Sequence, residues 1–114
     1  METERAVRVY VANYAGHDYQ RAEDFGKLCF VTRGFVPFDN LDRLKFEIAQ
    51  ALADSHENDF LLLSGTSLVN VFAALLWYIM HNKVRLLIYN RETGYKEIVI
   101  SHASIEKMLE VIRG

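Results

Sequence analysis

The sequence predicts an α/β fold, a Rossmann-like three-layer sandwich on a mostly parallel sheet of about five strands with one antiparallel hairpin strand. Three observations carry this expectation. Strand-like and helix-like apolar patterns alternate along the chain. Phe60-Leu61-Leu62-Leu63 is apolar without alternation, as a strand covered on both faces must be. Asn90-Arg91-Glu92-Thr93-Gly94 has the length of a hairpin loop between two β-rich runs.

Residues 7–14 alternate Val7, Val9 and Val11 with Arg8, Tyr10 and Ala12 and read as the first strand. Ala15-Gly16 breaks it, and residues 17–26 have room for a short helix carrying Ala22 and Phe25, ended by Gly26. Residues 27–36 return to strand composition, interrupted at Arg33-Gly34. Pro37 then precedes Asp39 and Asn40, both good N-caps, and Leu41, Leu44, Ile48 and Leu52 recur at helical spacing, which predicts a helix over residues 41–54. After the polar turn 55–59 and the apolar strand, Ser64-Gly65-Thr66-Ser67 opens a helix over residues 68–81. Strands 84–89 and 95–101 should pair antiparallel. Ser101 or Ser104 caps a last helix whose Ile105, Met108, Leu109 and Ile112 fall on one face.

The chain of 114 residues is long enough for one domain with its own core, and 51% hydrophobic against 25% charged residues excludes a disordered chain. A formal net charge of -2 supplies no general attraction to nucleic acid or anionic membrane. Cys29 is alone in an apolar run, where a buried, inert thiol is expected, and no intrachain disulfide is possible. Residues 1–8 carry both charge signs and no apolar stretch, unlike a signal peptide, so a reducing, cytoplasmic setting is expected. The apolar run 68–80 is shorter than the roughly 20 residues of a membrane helix. Its lack of a charged face predicts burial between layers or against a second subunit, hence a homo-oligomer such as a homodimer.

Ligands of open parallel sheets bind beyond the carboxyl ends of the strands, where strand order reverses. That rule selects Asn13, Tyr14, His17 and Asp18 after the first strand, Arg33 after the second, residues 64–67 after the third and Asn90 and Arg91 after the fourth. Gly65 lets backbone approach a ligand, Ser64, Thr66 and Ser67 bring hydroxyls, and a helix N-terminus suits phosphate or carboxylate. The same residues also serve as ordinary caps. Asn70, the polar residue in the first turn of the apolar helix, must bond to backbone, to a neighbouring strand or to a ligand. His17 is a candidate general acid or base, and Tyr14 or Tyr19 a stacking surface for a base. His17, His56, His81, His102 and Cys29 have no metal-ligand spacing, and no metal or cofactor is expected.

Val9-Tyr10-Val11-Ala12, Ala22-Glu23, and Gly65-Thr66 opening a helix with Asn70 and Ala74 resemble the nucleoside 2-deoxyribosyltransferase superfamily over about the first 90 residues. Members carry a helix-borne glutamate nucleophile near where Asn70 falls. An amide cannot replace it, so this resemblance implies nucleotide binding more than glycosyl transfer. Leu63-Ser64-Gly65, His81 and residues 89–94 resemble, over about 30 residues, the small CRISPR-associated ring nucleases that cut cyclic oligoadenylate. There Asn90 replaces an aspartate, and Phe72 and Trp77 replace expected histidines.

These readings converge on a small oligomeric protein that binds a nucleotide or cyclic oligonucleotide at the carboxyl edge of its sheet. Residues 64–67 would hold phosphate and Arg33 or Arg91 would supply countercharge. Two alternatives stand beside it: a metal-independent phosphodiesterase or nucleoside-processing hydrolase using His17, and an interaction module without a small ligand.

Overall fold

The computed structural model describes residues 5–36 and 38–114. Residues 1–4 and Pro37, on which the readings of the charged amino-terminal segment and of the turn before Asp39 partly rest, lie outside them. The elements in order are β1 (Arg8–Tyr14), a 3₁₀ turn (Gln20–Asp24), β2 (Lys27–Arg33), α1 (Leu41–Leu52), β3 (Phe60–Leu62), α2 (Ser67–His81), β4 (Lys83–Asn90), β5 (Gly94–Ser101) and α3 (His102–Arg113). The fold is the expected Rossmann-like α/β sandwich. Its five strands lie in the order β2-β1-β3-β4-β5, parallel except for β4 against β5.

From β1 the chain first steps outward to β2, then returns to place β3 on the other side of β1. The strand order therefore reverses between β1 and β3. In register, Val9 lies between Leu28 and Phe60, and Val11 between Phe30 and Leu62. β3 is buried at all three residues, Leu61 toward one face and Phe60 and Leu62 toward the other, which accounts for its unalternating sequence.

The two faces are covered unequally. On one, Tyr10, Ala12, Val31, Leu61 and Leu86 meet Leu44, Ile48 and Leu52 of α1 and Val69, Ala73 and Trp77 of α2. Trp77 is fully buried, its ring edge-on to Tyr10 at 5.6 Å. On the other face, Val9, Val11, Phe60, Leu62 and Leu87 are covered by Tyr19, Ala22 and Phe25 of the 3₁₀ segment. The helix expected over residues 17–26 is thus a single 3₁₀ turn. Its residues lack an i, i+4 apolar stripe, and Tyr19, Ala22 and Phe25 meet the sheet at the tighter spacing of that turn.

Local chemistry sets the helix ends. The Asn40 side chain accepts a hydrogen bond from the Arg43 N–H at 3.1 Å and starts α1. Ser101 and Ser104 form a reciprocal capping box at the start of α3. Cys29 is half-buried, less enclosed than expected, because β2 is an edge strand.

Opposite the carboxyl edge, Asp59 joins three segments. Its carboxylate receives both Arg5 guanidinium nitrogens at 2.9 Å, the Arg8 N–H at 2.9 Å and the His56 N–H at 2.8 Å. Arg5 also donates to the Asp54 carbonyl at 2.9 Å. This network ties the start of β1 to the entry of β3.

Candidate functional site

The reversal of strand order opens a cavity of about 530 Å³ above β3, lined by the loop after β1, the end of β3 and the β4–β5 hairpin. That volume lies within the range of small-molecule sites. His17, Asp18 and Arg21 form one side, Leu63, Ser64 and Gly65 the floor, and Tyr89 and Tyr95 the opposite wall.

The floor is shaped by two asparagines. Asn13, only 1% exposed, donates to Thr32 Oγ1 at 2.9 Å and to the Gly34 carbonyl at 3.1 Å, while its Oδ1 accepts the Thr66 N–H at 3.2 Å. Asn70 accepts the Ser64 N–H at 3.0 Å and donates to the Ser64 and Thr66 carbonyls at 3.1 and 3.0 Å. Both amides are occupied in holding residues 64–66, so they position the loop that a ligand would meet. Between them Gly65 adopts φ +72° and packs so closely on Asn13 that a Cβ would fall 2.1 Å from Asn13 Oδ1.

Tyr19 joins the floor to the side. Its ring is buried against Tyr14 and Phe30, and its hydroxyl lies 2.5 Å from Ser64 Oγ while accepting the Ala15 N–H at 3.2 Å. Buried this way, it braces Ser64 and leaves little face for a stacked base. Asp18 accepts the Gln20 N–H at 2.9 Å and starts the 3₁₀ turn, so it is not set to orient His17.

The opposite wall comes from the hairpin. Tyr89 and Tyr95 face each other in the β4–β5 register, with ring centroids 5.3 Å apart, and Tyr89 is 56% exposed. Burial, then the neighbouring Tyr19, Tyr89 and Asp18, push the Tyr95 hydroxyl above its ordinary value, which keeps it a neutral donor.

The candidate residues therefore separate. His17, Ser64 and Gly65 line the cavity, and Asn13, Thr66 and Asn70 stand behind its floor. Ser67 is the first residue of α2. Tyr14 packs edge-on to Phe30 at 5.2 Å over a neighbouring depression. Arg33 lies over the Phe30 ring at 4.6 Å, in a separate depression beside α1. Arg91 is exposed in the hairpin turn. The guanidinium in the cavity lining is Arg21, which sequence reading passed over, as it did Tyr89 and Tyr95 as a wall. The pairing of Tyr89 with Tyr95 across Asn90–Gly94 was the signal that hairpin register offered for the latter.

Among the described residues, no three His, Cys, Asp or Glu gather as a metal site, and no helix is long and apolar enough to cross a membrane. Neither curated proteins nor solved structures give a match to the chain. The family model described as phage Pam3 gp32-like protein matches residues 3–102, a stretch that takes in all five strands and the whole cavity, and the chain belongs to that family.

Proposed function

We propose that the cavity binds a nucleotide or cyclic oligonucleotide. The observation that carries this reading is the position of the cavity, at the reversal of strand order on the carboxyl edge, where open α/β sheets receive their ligands. The lining chemistry supports it. Exposed Tyr89 offers a ring face to a base, Arg21 offers a guanidinium to phosphate, and the Ser64-Gly65 main chain lines the floor. The two family resemblances of the sequence support the same class of ligand.

Calorimetry with nucleoside monophosphates and cyclic oligoadenylates tests the reading. Binding of one of them should weaken roughly tenfold in Tyr89→Ala and in Arg21→Ala, because a stacked base or a charged hydrogen bond is worth about 1–3 kcal/mol. Arg33→Ala should leave it unchanged. No heat with any of these ligands would leave the ligand-free interaction module as the better account.

The presence of His17 in the same lining favours a second reading, metal-independent hydrolysis with His17 as general acid or base. Its result would be product formation that survives EDTA and disappears in His17→Ala. Turnover unchanged by that substitution would remove His17 from the chemistry.

A further inference from the structure

Two apolar helix faces are left uncovered by the fold. On α2, Val69, Ala73 and Trp77 are buried, while the opposite stripe of Val71, Leu75 and Ile79 is open, and no Asp, Glu, Lys or Arg occurs anywhere in the helix. On α3, no residue is buried, although Met108, Val111 and Ile112 form an apolar stripe among charged neighbours. α3 packs chiefly on β5 and meets the end of α2 through His102 in its first turn.

We infer that these faces cover each other between two copies of this chain, the α3 stripe of each copy lying on the α2 stripe of the other about a two-fold axis. The area fits. The six side chains named are 53% to 83% exposed, and with about 100 Å² of apolar surface on a fully bared aliphatic side chain they present roughly 400 Å² per copy. Reciprocal pairing removes about 800 Å², most of the roughly 1,000 Å² of apolar surface in a homodimer interface of standard size. The arrangement is self-complementary, as a two-fold interface requires, because each chain carries both partners. The surfaces also adjoin: the Tyr78 hydroxyl lies 2.8 Å from His102 Nδ1, so the first turn of α3 abuts the end of α2. Ser101 pairs with Lys83 at the amino edge of the parallel strands, so α3 begins away from the cavity, which stays open in the dimer.

Sedimentation velocity on the full chain tests this. The wild type should sediment as a dimer, and both Leu75→Glu/Ile79→Glu and Met108→Lys/Ile112→Lys should be monomers with unchanged circular dichroism. An equimolar mixture of the two variants should restore the dimer, since one interface then pairs Glu with Lys and the other is wild type. If the glutamates disturb folding, Leu75→Ser/Ile79→Ser replaces them and should also lose the dimer. A monomeric wild type, an α3 variant that stays dimeric, or a mixture that stays monomeric would each overturn the exchange.

Discussion

Gly65→Ala is expected to destabilise the fold by about 3–5 kcal/mol, far more than its added methyl would suggest. Two costs combine. An L-residue at φ +72° is strained by about 1 kcal/mol. The larger cost is steric, because the new Cβ would lie 2.1 Å from Asn13 Oδ1 and 2.7 Å from its Cγ. Asn13 cannot turn aside without giving up its bonds to Thr32, Gly34 and Thr66 in a buried site. Gly94 supplies the control, since its φ is +79° with nothing within 4 Å of a Cβ. Gly94→Ala should therefore cost only about 1 kcal/mol. Urea denaturation of both variants separates strain from collision, and equal losses would mean that the contact with Asn13 is not tight.

Removing the Asp59 carboxylate should have a comparable effect at the other edge of the sheet. Asp59→Ala leaves the Arg8 and His56 N–H groups without their acceptor and takes the carboxylate from the Arg5 guanidinium, which keeps the Asp54 carbonyl. Breaking a buried pair of this kind costs about 3–5 kcal/mol, toward the lower end here because Arg5 is partly exposed to solvent. Thermal melting should fall by roughly 10–20 °C. Ligand binding at the carboxyl edge should persist wherever the variant is folded.

The same group predicts an acid limb. Burial alone would raise Asp59, but the Arg5 guanidinium and the two backbone N–H groups outweigh it and hold the carboxylate below its ordinary value of 3.8. The folded state thus binds this proton more weakly than the unfolded state. The stabilisation is complete above the ordinary value and fades as pH falls through it toward the folded value. Melting scans at falling pH should show wild type losing more stability below about pH 4 than Asp59→Ala. Parallel acid slopes would remove Asp59 from this role.

Much of the architecture was legible because pattern and environment correspond one to one. Phe60-Leu61-Leu62 reads as a doubly covered strand because each face of β3 does meet apolar residues. The stripe of Leu44, Ile48 and Leu52 likewise has a single partner face. The 3₁₀ turn was less legible, since Tyr19, Ala22 and Phe25 lack α-helical spacing and acquire their meaning from the sheet beneath.

The site was legible as a place and less so as a set of side chains. Strand order and the carboxyl-edge rule locate the cavity, but they do not say which way a side chain turns. Asn13 and Asn70 look the same in sequence whether an amide faces a ligand or is consumed by backbone, and here it is consumed. Arg33 is drawn onto Phe30 by a cation–π contact, whereas Arg21, in a turn with no motif, reaches the lining. The apolar character of α2 was plain. That α3 would stand uncovered beside it was not, because an amphipathic pattern does not say whether its partner lies in the same chain.

The most direct test of the ligand site is a chemical-shift titration of the isotope-labelled full chain with a nucleotide that gives heat in calorimetry. The largest amide shifts should fall on His17, Arg21, Ser64, Gly65, Tyr89 and Tyr95, with Arg33 and the Asp59 network unmoved. Shifts centred on the depression around Arg33 and α1, with the Ser64-Gly65 loop and the hairpin tyrosines silent, would contradict it.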